Sequence, residues 1–281
     1  MLGPPWRAGI SGAFAALEVM MKIAISGKGG VGKTTLSAMF AAALNFQGHG
    51  VIAVDADPDA NLAAALGLPH DRQPTFLADM TDMITERTGA KDAYGGYFKL
   101  NPKVDDIPEQ FATTIDRIRL LALGGVSHGG DGCICPAAAL IKALLTHLIL
   151  GRDDSLIMDM DAGIEHLGRA TAQSVDALVV VVDEGPWSHQ TALRIRELAG
   201  DIGVRPPLAV ANRVRESTDV DAIRHSLDGI PLIGTLPYDE RMLAGLMTTT
   251  DENKLLPTEA LTEQLPAIGE MLAQLQAAVQ T

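Results

Sequence analysis

Residues 25–36 read ISGKGGVGKTTL and fit the spacing G-x-x-x-x-G-K-[ST] from Gly27 to Thr34. The apolar run KIAIS (22–26) precedes them, and a helical stretch over 33–47 follows. A strand that breaks on glycines and restarts as a helix can do one thing well. Its backbone N–H groups and the helix N-terminus turn towards an anion, Lys33 reaches the outer phosphates, and the Thr34 hydroxyl can hold Mg²⁺. The same residues also satisfy G-x-G-x-x-G through Gly27, Gly29 and Gly32, with acidic residues some twenty positions on, so a dinucleotide is the rival ligand. Lys33-Thr34 directly after the last glycine favours a triphosphate with Mg²⁺. The charge of Lys28 also crowds the close pyrophosphate approach that a dinucleotide turn reserves for small residues.

Short apolar runs alternate with helical stretches along the chain. KIAIS (22–26), VIAVD (51–55), RLLAL (119–123), SLIMDM (155–160), ALVVVVD (177–183), PLAVAN (207–212) and PLIGTLP (231–237) read as strands. Segments 33–47, 75–87, 136–149, 164–174, 188–202, 219–227 and 258–278 read as helices. The strands are apolar throughout, which says that both faces are covered. With 47% hydrophobic but only 4% aromatic residues, the core is built from Ala, Val, Ile and Leu. The expectation is an α/β fold: one doubly wound, mostly parallel sheet flanked by helices, filling residues 21–281. Residues 68–118, with four prolines and YGGY, read as one helix within a long surface excursion rather than a second domain.

The formal net charge of −13 argues against nucleic acid or an anionic membrane as partner, and no basic run offsets it. No apolar stretch approaches the ~20 residues that span a bilayer. Residues 1–20 carry Gly and Pro interruptions and Glu18, and a second Met pair, Met20-Met21, opens the first strand. They read as a disordered extension or an upstream-start artefact rather than a targeting signal. Two cysteines make no disulfide framework, and a bridge across one residue would be strained, so a reducing, cytoplasmic setting is expected.

The segment GKGGVGKTT resembles the deviant phosphate loop of the MinD/ParA/nitrogenase-iron-protein class of P-loop NTPases, in which a second lysine sits just inside the loop. The resemblance implies an ATPase with Gly27, Lys28, Gly29, Gly30, Val31, Gly32, Lys33, Thr34 and Thr35 around the nucleotide phosphates. It also implies a homodimer, with Lys28 crossing the interface to the partner's ATP. VDADPDAN (54–61) resembles that class's first switch, with Asp55 on Mg²⁺ and Asp57 orienting or deprotonating the attacking water. In IMDMDAGIEHLGR (157–169), Asp159 matches the second Mg²⁺-binding carboxylate, and Gly163 begins the second switch. Asn212 in VANRV and Pro237 in LPYDE match the adenine-binding segments. A strand-end asparagine and a turn proline are the plainer reading of those two.

Both cysteines, Cys133 and Cys135, lie in GGDGCICPAAALIKALL (129–145). Pro136 suits the first position of a helix, which places Cys135 at its N-cap, where the helix end draws thiols towards thiolate. The helix is apolar almost all round and must be buried. Two sulfurs cannot complete the four-ligand shell favoured by zinc or thiolate-bound nickel, whereas a two-fold dimer brings four together. Two buried structural thiols, or a redox pair, are the alternatives.

Taken together, GKGGVGKTT, VDADPDANLAAALG, GDGCICP and MDMDAGIEHLGR are similar to the CooC-type accessory ATPases of carbon monoxide dehydrogenase, over residues 22 to about 240. Asp161 stands where that pattern expects Glu. The resemblance implies nickel binding through Cys133 and Cys135, with zinc able to replace it in vitro. ATP hydrolysis would be coupled to nickel insertion into the cluster of carbon monoxide dehydrogenase or a related nickel enzyme. His128, His147 and His166 stay outside this site. Two other functions remain open: an iron–sulfur carrier or reductase with a cluster bridging the dimer, and a MinD/ParA-like positioning ATPase. The C-terminal amphipathic stretch, with three Glu and no Lys or Arg, has the wrong sign for an anionic bilayer and reads as a helix packed on its own sheet.

Overall fold

The computed structural model describes residues 20–90, 97–124, 136–151, 154–163 and 175–280. In chain order the elements are β1 (Lys22–Gly27), α1 (Lys33–Phe46), β2 (Val51–Asp55), the single turn α2 (Leu62–Ala65), α3 (Thr81–Thr88), α4 (Ile107–Phe111), β3 (Thr113–Ile115), β4 (Ile118–Ala122), α5 (Pro136–Gly151) and β5 (Ser155–Asp159). They continue as β6 (Ala177–Val182), α6 (Pro186–Ile202), β7 (Leu208–Val214), α7 (Val220–Ser226), β8 (Leu232–Pro237), β9 (Met247–Thr249), β10 (Leu255–Pro257) and α8 (Glu259–Val279).

Eight strands form one sheet in the order β3-β4-β2-β5-β1-β6-β7-β8, parallel except where β3 runs antiparallel to β4. Each interior strand supplies both faces by alternation. Ile23 and Ile25 of β1, Val51 and Ala53 of β2, and Val179 and Val181 of β6 pack with Phe40 and Leu44 of α1 and with α8. Their neighbours Ala24, Ile52, Val54, Val180 and Val182 pack on the other side with Leu144 and Leu148 of α5 and Ile195 of α6. The all-apolar strands therefore mean two covered faces, as the sequence requires.

The C-terminal stripe is one of the two layers: Leu261, Leu265, Ile268, Leu272 and Leu275 of α8 are fully buried on the chain's own sheet. Helix α5 begins at Pro136 and buries Leu140, Leu144, Leu148 and Ile149, leaving Lys142 exposed. Among the described residues no helix is long and apolar enough to cross a membrane.

Three features differ from the sequence reading. The expected helix over 75–87 is a 3₁₀ turn at Leu77–Asp79 followed by α3. A tertiary bond from Ala78 N–H to the Leu123 carbonyl (3.0 Å) holds the turn against β4 and delays the helix. The excursion contributes an edge strand, β3, and β9 pairs with β10 in a short antiparallel hairpin. The expected helix over 164–174, Cys133 and Cys135 lie outside the described residues, as does the 1–20 extension apart from Met20.

Among the described residues Phe40 is the largest fully buried side chain, and it sits in α1, the helix that follows the phosphate loop. Phe40→Ala removes it without touching a polar group, so the nucleotide-free protein is expected to lose about 3–5 kcal/mol in chemical denaturation. A loss well under 1 kcal/mol would show that this layer repacks freely.

Candidate nucleotide-binding site

The loop leaves the centre of the sheet, where β1 lies between β5 and β6, at the carboxyl edge where open α/β sheets hold ligands. Two positions in it admit only glycine. Gly27 has φ +148°, and a Cβ there would stand 2.5 Å from the Val181 carbonyl oxygen. Gly32 has φ +100°, and its Cβ would stand 2.1 Å from Asn212 Nδ2. That amide is close because it donates to the Val31 carbonyl (2.8 Å), fixing the loop from β7. Gly32 caps α1 without any side-chain bond, so the first N–H groups of the helix remain available to an anion.

A cleft of about 510 Å³ opens in front of the loop, lined by Gly29, Gly30, Gly32, Lys33 and Thr34 together with Asp57, Asp59, Asp161 and Arg213. The two lysines point to different places. Lys33 is 6% exposed and lines this cleft, whereas Lys28 is exposed and borders a second depression with Trp187 and Arg194. Val31 is buried and Thr35 is half-buried at the start of α1. Asn212 is 7% exposed and directed at the loop. Pro237 ends β8 opposite Val214, and it is not part of the cleft lining.

Asp55 and Asp159 end the neighbouring strands β2 and β5 and are register partners, so two buried carboxylates stand side by side. Asp55 accepts from the N–H groups of Leu62 (2.8 Å) and Asp57 (3.2 Å). Asp159 Oδ1 accepts from the Ser37 hydroxyl (3.0 Å), while Oδ2 is buried with no hydrogen-bond partner. Burial pushes the Asp55 carboxyl up to about 7, against its backbone donors and with help from the Asp159 charge. Burial also raises Asp159 to about 6, against the Thr34 and Ser37 hydroxyls and Lys33. Both values exceed the 3.8 of an ordinary aspartate, so the protonated pair costs the fold nothing below that pH, and stability is lost progressively as pH rises from there to about 6 to 7.

An orphaned carboxylate oxygen beside a second carboxylate and the Thr34 hydroxyl suits Mg²⁺. Among the described residues no cluster of three or more acidic, His or Cys side chains could hold a metal by protein groups alone. That also fits Mg²⁺, which is ordinarily held by one or two carboxylates plus substrate phosphates.

Gly163 follows β5 and is tied back to β1. The buried Ser26 hydroxyl donates to the Gly163 carbonyl (2.7 Å) and accepts from its N–H (3.2 Å). Sequence reasoning passed over Ser26, Ser37 and Arg213. Their only signals were adjacency to Gly27, the helical i+4 spacing from Lys33, and adjacency to Asn212.

Comparison with known proteins agrees with this geometry. Residues 22–246 match the CobQ/CobB/MinD/ParA nucleotide binding domain. The carbon monoxide dehydrogenase accessory protein CooC of Rhodospirillum rubrum is 47% identical over 226 residues, spanning 80% of this chain and 86% of that protein. An uncharacterized ATP-binding protein of Methanocaldococcus jannaschii is 44% identical over 227 residues, 79% of this chain and 87% of its own. Among solved structures, the septum site-determining protein MinD of Pyrococcus horikoshii, complexed with Mg-ADP, superposes with a TM-score of 0.62 at 20% identity, covering 92% of this chain and 97% of that one. The chain belongs to the CobQ/CobB/MinD/ParA nucleotide-binding family and is a P-loop ATPase.

Proposed function

We propose that this ATPase is a cytoplasmic homodimer that carries nickel on Cys133 and Cys135 and delivers it to carbon monoxide dehydrogenase or a related nickel enzyme. The observation that carries the reading is the 47% identity to a protein named as a carbon monoxide dehydrogenase accessory protein, in a chain whose only two cysteines form C-x-C before α5. Two thiolates per chain leave a nickel shell half-filled, and a second copy completes it. The exposed Lys28, beside the 66%-exposed Trp187, supports a face that meets that second copy.

Each residue has a role in the ATPase step. Backbone N–H groups from Gly27 to Thr35 cradle the phosphates, and Lys33 balances charge on the outer ones. Thr34, Asp55 and Asp159 would hold Mg²⁺, which supplies neutralisation of phosphate charge when bound. Asp57 faces the same cleft, where it orients the attacking water and takes up its proton. Gly163, bonded to Ser26 next to the loop, is placed to respond when the outer phosphate leaves. Asn212 and the Pro237 loop bound the nucleoside end.

Metal titration of reduced, anaerobic protein with Ni²⁺ and Zn²⁺, read as metal per chain and native mass, tests the proposal. One metal per two chains, with dimerisation, is the expected result, and the Cys133→Ser/Cys135→Ser double variant should lose both. Binding unchanged in that variant would sink the thiolate site. A brown, iron-loaded dimer would favour the cluster carrier instead.

Two further outcomes follow from the nucleotide site. Asp57→Asn should lower the ATP turnover rate by about 10²–10³-fold while leaving ATP affinity within a few-fold; unchanged turnover removes Asp57 from the chemistry. Asp159→Asn relieves a buried charge that the Thr34 and Ser37 hydroxyls and Lys33 only partly offset in the nucleotide-free protein. Its melting temperature should rise by roughly 2–4 °C, equivalent to about 1 kcal/mol, while Mg²⁺-dependent ATP binding weakens. A fall in melting temperature would contradict that account of the carboxylate pair.

A further inference from the structure

Resting on the ATPase reading above, we infer that Arg213 is a second nucleotide-binding cation of the same chain, aimed at the phosphate groups by a bulge in β7. The ladder between β7 and β8 shifts register twice, first from Ala209↔Leu232 to Val210↔Gly234, and the second shift runs from Ala211↔Thr235 to Val214↔Pro237. Three steps along β7 thus oppose two along β8, and Asn212 and Arg213 are the residues set free. A bulge of this kind re-aims side chains, and these two both turn to the phosphate loop. Asn212 bonds the Val31 carbonyl, and Arg213 lines the cleft with Gly30, Gly32 and Lys33.

The backbone at Arg213 is costly. Its φ is +59°, in the left-handed region where glycine is at ease and a long side chain is not. If the position served only the bulge, glycine would serve it better. Strain of this sort is held in place by the surrounding structure and gathers at functional sites.

The charges point the same way. The cleft is lined by Asp57, Asp59 and Asp161, and among the described residues its only cations are Lys33 and Arg213. Lys28 faces the other depression. Among the described residues Arg213 makes no ion pair with any carboxylate, although Arg87, Arg119, Arg196, Arg224 and Arg241 all do. An exposed guanidinium kept free beside three aspartates is available to the one strong anion the cleft receives, and its fork suits phosphate oxygens.

The test compares wild type with Arg213→Gly and Arg213→Lys for binding of ADP and Mg-ATP at two salt concentrations, alongside nucleotide-free thermal stability. Arg213→Gly is expected to weaken both nucleotides about tenfold, the scale of one charge-assisted contact, and to flatten the salt dependence. Its melting temperature should hold or rise, because glycine accepts the left-handed backbone. Arg213→Lys should recover part of the affinity. Wild-type affinity in Arg213→Gly would overturn the inference alone, as would a marked loss of stability, which would make the arginine structural. A wild-type chain that binds neither nucleotide would sink the ATPase reading and the inference together.

Discussion

Two carboxylates buried side by side set the terms for the rest of this molecule. Asp55 and Asp159 occupy the last positions of adjacent strands, in parallel register, where water cannot screen them. Four hydrogen-bond acceptors converge there, and three find donors from Ser37, Leu62 and Asp57. The fourth, Asp159 Oδ2, has none. A protein that needed only stability would replace such a pair with apolar side chains of similar size. An unpartnered acceptor beside a second carboxylate is chemically suited to a cation. The sheet thus holds an arrangement that is unfavourable by itself and that a bound cation would relieve, which is how a fold is linked thermodynamically to a ligand.

The phosphate loop answers that arrangement from the other side. Gly27 presses on the Val181 carbonyl and Gly32 on the Asn212 amide, so neither can gain even a methyl group. The loop is therefore clamped between β6 and β7 rather than hung freely from β1. Asn212 takes part in that clamp through the Val31 carbonyl, which places the expected adenine-side residue in contact with the phosphate side. Any group that moves β7 relative to β1 would disturb the phosphate loop through that contact.

Much of this was legible in the sequence because it depends on local rules. Uninterrupted Val and Ile runs require two covered faces, glycine spacing requires a phosphate turn, and carboxylates at strand ends must reach the carboxyl edge of a parallel sheet. What was not legible depends on partners far along the chain. The late start of α3 comes from the carbonyl of Leu123, some forty-five residues beyond Ala78. Ser26 reads as an ordinary strand residue until Gly163 is seen against it. Arg213 reads as a strand-end cation until the register of β7 and β8 reveals the extra residue. Bulges and crossover contacts leave little trace in periodicity, since they are decided by which strand lies next to which.

The same topology bears on how a thiol segment and a nucleotide could act together. Strand β4 runs parallel to β2, with Ala122 opposite Asp55, and the Leu123 N–H donates to the Asp55 carbonyl (2.9 Å). The chain therefore departs towards Cys133 from the end of β4, which is hydrogen-bonded to the backbone of Asp55. It returns at Pro136 into α5, which leads to β5 and so to Asp159 and Gly163. Both described ends of the thiol segment are thus joined, through one strand or one helix, to the two buried carboxylates. Changes at the carboxylate pair have a covalent and hydrogen-bonded route to both described ends of that segment.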